Sequence, residues 1–162
     1  MTTSLLNRRR LLAGAGSGMA TAVSTLLAPA HAEGLQPTLS MPGGSNNYHP
    51  GAPIVDRIGK GGFLISGTVR RAGDGAPLAG QRIQVWAHTT EGYENQWRSH
   101  GATLTDANGV FRLEMPQIIP AFGQPHGHLA YDSGEFKTVF LRPLLATWPA
   151  TSLEAHFVLQ PA

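Results

Sequence analysis

The sequence predicts an all-β protein: an antiparallel β-sandwich of about seven short strands, preceded by an extended arm rich in Gly and Pro. Three observations carry this. Short runs of β-branched and aromatic residues recur between clusters of turn residues. Within them, apolar and polar residues alternate with the period of two that a half-buried strand needs. No stretch longer than ten residues has a helical apolar stripe. About seven such runs in roughly a hundred residues suit a two-sheet sandwich.

The first strand is expected at Phe63–Arg70. A turn at Ala72-Gly73-Asp74-Gly75-Ala76-Pro77 leads to the second, Gln81–His88. Ala107-Asn108-Gly109 is a hairpin signal between Ala102–Thr105 and Val110–Met115. In the latter, Phe111, Leu113 and Met115 share one face, and Arg112 and Glu114 the other. Further strands are expected at His126–Tyr131, Phe136–Leu141 and Glu154–Leu159. Trp86 follows alternating apolar positions and is expected to plug the sandwich; Trp97 stands in a polar loop. Asp106 and Asn108 read as turn formers.

Ahead of this domain (63–162) lies the arm (33–62), whose Gly, Pro, Ser and Asn show no periodicity. Ahead of the arm, residues 1–32 read as an address. Asn7-Arg8-Arg9-Arg10-Leu11-Leu12 is followed by a weakly apolar run, Ala13–Pro29, and a small-x-small cleavage site at Ala30-His31-Ala32. Paired arginines before a modest apolar region resemble a twin-arginine translocation signal. The run is too short and too rich in Gly, Ser and Thr for a permanent membrane anchor. The expectation is an exported, periplasmic protein cleaved after Ala32.

Charge and composition exclude several classes. Of the 12 Lys and Arg, the first 32 residues hold three, leaving nine against 10 Asp and Glu. The mature chain is then close to neutral, and the charge balance gives no support to a basic face for nucleic acid. Cys is absent from the sequence, which removes disulfides, thiolate metal sites and thiol nucleophiles. A metal here must be held by nitrogen and oxygen.

The sharpest local feature is Gln124-Pro125-His126-Gly127-His128. Residues i and i+2 of a strand point the same way, so His126 and His128 can offer two imidazoles to one point, and neutral imidazole is a common ligand for iron, copper and zinc. Alternatively the pair lies on a solvated strand face. Tyr93, just beyond Ile83-Gln84-Val85-Trp86, reads alone as a turn aromatic.

The ordered series tells more than its parts. Ile65-Ser66-Gly67-Thr68-Val69, Gly75-Ala76-Pro77-Leu78-Ala79-Gly80, Ile83-Gln84-Val85-Trp86 and Gly92-Tyr93 are followed by Thr103–Arg112 and Pro125-His126-Gly127-His128. Together, over about Phe63 to Leu129, they resemble the core of the intradiol ring-cleavage dioxygenases. The resemblance implies a β-sandwich holding non-haem Fe(III) through two tyrosinates and two histidines. It makes Tyr93, His126 and His128 metal ligands. It also implies a small catecholic substrate whose ring is opened with O2 to a diacid. A metal-bound tyrosine would ligate as a phenolate, its pKa lowered from about 10.

The series departs from the family at two places. Phe122 is the nearest aromatic where a second tyrosine belongs, and Gln124 stands where an arginine often precedes Pro-His. Gln124 is therefore a candidate catalytic position. Tyr48, in the arm segment Asn46-Asn47-Tyr48-His49-Pro50, is the preferred substitute for the second tyrosine. Tyr131 faces away from the His pair in a regular strand, and His49, His88 and His100 are further candidates. These departures keep two alternatives open: a metalloprotein of the same fold with altered or lost oxygenase activity, and a non-enzymatic module of the transthyretin or carboxypeptidase-regulatory kind. The arm allows, without demanding, a homo-oligomer in which it wraps a neighbour.

Overall fold

The computed structural model describes residues 34–162 apart from Phe122 and Trp148; the segment read as an export signal, and Phe122, lie outside the described residues. Seven strands appear: β1 (Phe63–Arg71), β2 (Arg82–Ala87), β3 (His100–Leu104), β4 (Val110–Met115), β5 (Gly127–Tyr131), β6 (Val139–Leu141) and β7 (Ser152–Leu159). They form a three-stranded sheet, β4-β1-β7, and a four-stranded sheet, β3-β2-β5-β6.

The alternation seen in the sequence fills the space between the sheets. Phe63, Ile65 and Val69 of β1 meet Phe111, Leu113 and Met115 of β4 and Leu153, Ala155, Phe157 and Leu159 of β7. The other sheet contributes Ile83, Val85 and Ala87 of β2, and Leu129 and Tyr131 of β5. Burial of these side chains is the main term holding the two layers together. Gly67 allows β1 to pass close to its neighbour, since a Cβ there would overlap the carbonyl of Ala155.

Three expectations need correction. The strands are not all antiparallel: β1 and β7 pair in parallel, from Leu64↔Ser152 to Arg71↔Leu159. A parallel neighbour needs a long connection, and residues 72–151, which build the whole second sheet, supply it. The turn at Asp106–Gly109 forms as expected, with Asp106 Oδ1 accepting from Asn108 N (2.8 Å) and Val110 N (2.9 Å). It does not close a hairpin, however. β3 pairs with β2 and β4 with β1, so this turn carries the chain from one sheet to the other.

The third correction concerns Trp86. Side chains alternate along β2, and with Ile83, Val85 and Ala87 facing the core, Gln84 and Trp86 face the opposite side. That outer face is not open to solvent. The arm crosses it and bonds to it: Trp86 Nε1 donates to Asn46 O (2.9 Å), Gln84 Nε2 to His49 O (2.7 Å), and Ala52 N to Gln84 Oε1 (3.3 Å). Further along, Val55 and Ala102 exchange backbone bonds with the arm and with β3, Val55 N donating to Ala102 O and Ala102 N to Pro53 O. This covers the β3 edge. Trp86 is fully buried under the arm, outside the core between the sheets.

Candidate metal centre

On this covered face the register of three strands builds a row. Trp86 of β2 stands opposite His100 of β3 and His128 of β5. The rings stack nearly parallel across the sheet, with centroids 5.5 Å and 5.0 Å from the indole and planes within 6° and 9°. His128 is fully buried. His126, two residues earlier and just ahead of β5, points to the same side, with the two imidazole centroids 5.0 Å apart.

A third group completes the site. Glu94, from the segment joining β2 to β3, places Oε2 3.4 Å from His126 Nε2 and 3.5 Å from His128 Nε2. One ligand atom from each of the three residues lies within 4.8 Å of the others. Glu94 Oε2 and His128 Nε2 are both buried without a hydrogen-bond partner.

The neighbours of these groups decide which atoms face the centre. His128 Nδ1 lies 3.0 Å from Gly44 O, and His126 Nδ1 lies 2.9 Å from Gln124 O. A carbonyl only accepts, so both Nδ1 atoms carry hydrogen and donate, leaving both Nε2 lone pairs toward Glu94. Arg142 Nη2 also approaches His126 Nδ1, at 3.4 Å. A protonated Nδ1 cannot accept from it, and the shorter contact to the carbonyl decides. Burial holds the His128 pKa below its ordinary value, which favours the neutral, ligating form.

Glu94 is oriented in the same way. Asn47 Nδ2 donates to Oε1 (2.8 Å), which turns Oε2 toward the histidines. His100 Nε2–H donates to the Glu94 carbonyl (2.8 Å) and fixes the backbone. Asn47 reaches this position from a left-handed conformation (φ 56°), the one non-glycine residue at positive φ among those described; Asn tolerates it better than most. Carbonyl and amide partners of this kind orient metal ligands and set their tautomers.

The arrangement fits a metal ion. Three acceptor atoms face one another in a buried space, which is unfavourable without a positive charge between them. A metal ~2.1 Å from two ligand atoms holds them ~3.4 Å apart at the tetrahedral angle, close to the separations seen. Two imidazoles and one carboxylate are also the donor set of non-haem iron oxygenases with open coordination positions.

Of the residues singled out in the sequence, the structure brings His126 and His128 together. Tyr93 is 57% exposed, its ring 4.6 Å from that of His88. Its neighbour Glu94 is the one whose carboxylate meets both histidines. The two stand at the start of a tight turn, closed by Gln96 N donating to Tyr93 O (3.0 Å), from which the Glu94 side chain is directed inward. Tyr48 packs its ring on Trp86 and Phe140, and its hydroxyl bonds to Asp132. Asp132 also pairs with Arg82 at 3.3 Å, and burial raises its pKa. Gln124 contributes its backbone carbonyl to His126, while its side chain is exposed. Sequence reasoning missed Glu94, although a carboxylate beside a His-x-His pair is a commoner partner than a phenol.

Next to the centre, a cavity of about 370 Å³ is lined by Asn47, His88, Tyr93, Glu94 and Ala121, among others. It lies within the size range of small-molecule sites, and Glu94 is shared between its wall and the Glu94-His126-His128 group.

No family model matches the sequence, and no curated protein matches it. Solved structures do. Hydroxyquinol 1,2-dioxygenase from Pseudomonas putida DLL-E4 is 13% identical over 79% of this chain and 68% of its own, with a TM-score of 0.61. The dioxygenase domain of a dioxygenase carbohydrate-binding protein fusion from Streptomyces sp. SirexAA-E is 18% identical over 78% of this chain and 99% of its own, with a TM-score of 0.60. 3-Chlorocatechol 1,2-dioxygenase from Rhodococcus opacus 1CP is 17% identical over 80% of this chain and 73% of its own, with a TM-score of 0.56. At these identities the likeness concerns the fold, because function resides in the site. The chain folds as the β-sandwich that these catechol and hydroxyquinol dioxygenases share.

Proposed function

We propose that this chain is an exported, metal-dependent oxidoreductase of the dioxygenase kind, using non-haem iron and O2 on a small aromatic diol. The observation that carries the reading is the convergence of three ligand atoms from Glu94, His126 and His128, those of Glu94 and His128 buried without partners, on a sandwich with the dioxygenase fold. The address at residues 1–32 supports export to the periplasm, and the nearly neutral mature charge supports a small-molecule partner rather than nucleic acid.

Iron bound by the three residues would supply a Lewis-acidic, redox-active point able to engage a diol and O2. The chain's own groups do the rest. Gly44 and Gln124 carbonyls hold the imidazoles as Nε2 donors, and Asn47 holds the carboxylate. Because Trp86, His100 and the arm surround the ligands, bulk water is kept from the inner side of the centre. The cavity beyond Glu94 takes a single aromatic ring with room for substituents, against the Tyr93 ring and Ala121. His88 lines the same cavity, and its Nδ1 is buried without a hydrogen-bond partner.

The test loads the full chain with iron and follows O2 uptake with catechol and hydroxyquinol. Ring-opened product carrying both atoms of isotopically heavy O2 supports the reading. Stoichiometric iron with no O2 uptake on any aromatic diol overturns it, in favour of a metalloprotein of this fold with another activity.

A further inference from the structure

We infer that the centre is built for a divalent ion held by Glu94, His126 and His128, without a phenolate ligand. This deepens the metal-dependent reading above and rests on it for the presence of a metal, not for oxygen chemistry.

The chain contains three tyrosines. Tyr131 is buried in the core, its hydroxyl accepting from Phe136 N at 3.2 Å. The Tyr48 hydroxyl is committed to Asp132. Tyr93 lies over His88 and is more than half exposed. The anion turned toward the two Nε2 atoms is the Glu94 carboxylate, fixed there by Asn47. Two neutral imidazoles and one carboxylate bring a single negative charge. A further charge close by is positive, the Arg142 guanidinium 3.4 Å from His126. A ferric ion would keep two uncompensated charges in this buried place and a divalent ion one. Ferric iron is favoured by hard, anionic phenolates, whereas this donor set belongs to divalent iron and its neighbours in the first transition row.

The experiment titrates Co(II) into the metal-free full chain under anaerobic conditions and reads visible d–d absorption. One equivalent is expected to bind. Glu94→Gln should weaken binding more than about a hundredfold, exceeding what losing a supporting group costs. Tyr93→Phe should leave affinity within about twofold, on the same scale. Circular dichroism confirms that both variants fold, and His126→Gln serves as a second ligand variant if Glu94→Gln does not. The inference is overturned if Co(II) fails to bind, if the folded ligand variant binds like wild type, or if ferric iron gives a phenolate charge-transfer band that Tyr93→Phe removes. In that last case the dioxygenase reading survives. If Co(II) binds through the three residues but the iron-loaded chain consumes no O2, the dioxygenase reading fails and this inference stands.

Discussion

Glu94 Oε2 and His128 Nε2 face each other at 3.5 Å as two acceptors, both buried and neither hydrogen-bonded. Without a cation or a proton between them this contact is repulsive, so the pair is preorganised for a ligand at the expense of the metal-free fold. In chelator at pH 8, Glu94→Gln should therefore unfold at the same temperature as wild type or a few degrees higher. Its amide can donate where the carboxylate cannot. With saturating divalent metal the order should reverse, since a ligand at 100 times its Kd adds about 2.7 kcal/mol to the native state. A marked fall in melting temperature in chelator would show that the carboxylate already has a stabilising partner.

Asn47 holds the other oxygen of Glu94 from a left-handed backbone position. Asn47→Gly keeps that backbone at ease and removes only the amide. The expected result is a 10- to 100-fold loss of metal affinity, the usual range for a group that orients a ligand. Competition against a chromophoric chelator measures it, and unchanged affinity would mean that the arm covers the site without orienting it.

Trp86 supports the site from beneath. It is fully buried, stacks on both His100 and His128, and bonds to the arm through Nε1. Trp86→Ala should cost about 3–5 kcal/mol in urea unfolding. Trp86→Phe keeps most of the stack and loses the Asn46 bond, for about 1 kcal/mol. If Trp86→Ala cost under about 1 kcal/mol, the arm would not be packed on the sheet as described.

Tyr131 should set the alkaline limit of stability. Burial raises its pKa above the ordinary value of about 10. Its contribution is then complete below pH 10 and is lost as pH rises through the folded-state value. Tyr131→Phe should flatten this alkaline decline while costing about 1 kcal/mol at neutral pH through the Phe136 N–H it leaves unpaired. Identical alkaline unfolding profiles for the two proteins would refute the assignment.

Gly67 tests the parallel pairing of β1 and β7. A methyl group there would overlap the Ala155 carbonyl and press on the Phe111 ring. Gly67→Ala should cost more than about 4 kcal/mol or leave the chain insoluble. A folded variant of near wild-type stability would place β7 elsewhere.

Much of the fold was legible because its determinants are local. The period of two in Val110–Met115, the Asx turn at Asp106 and the short apolar runs each act over a few residues, and each strand formed near its expected place. The sheet partners were not legible. Nothing near Asn108-Gly109 distinguishes a hairpin from a turn that crosses between sheets, because the choice depends on whether β4 finds β1, 42 to 52 residues away, a better partner than β3.

The sequence by itself determined that His126 and His128 point to one side of a strand, since that follows from backbone pleat alone. It also determined that any metal would meet nitrogen and oxygen ligands, since the chain has no Cys. Only the tertiary structure decided that this side is the outer face of the four-stranded sheet, and that the arm closes it. The same packing made Glu94, not Tyr93, the residue that turns toward the pair. These outcomes depend on Gly44 reaching His128 across 84 residues and Asn47 reaching Glu94 across 47. In a segment without regular periodicity, which of two neighbouring side chains faces inward is set by such distant partners.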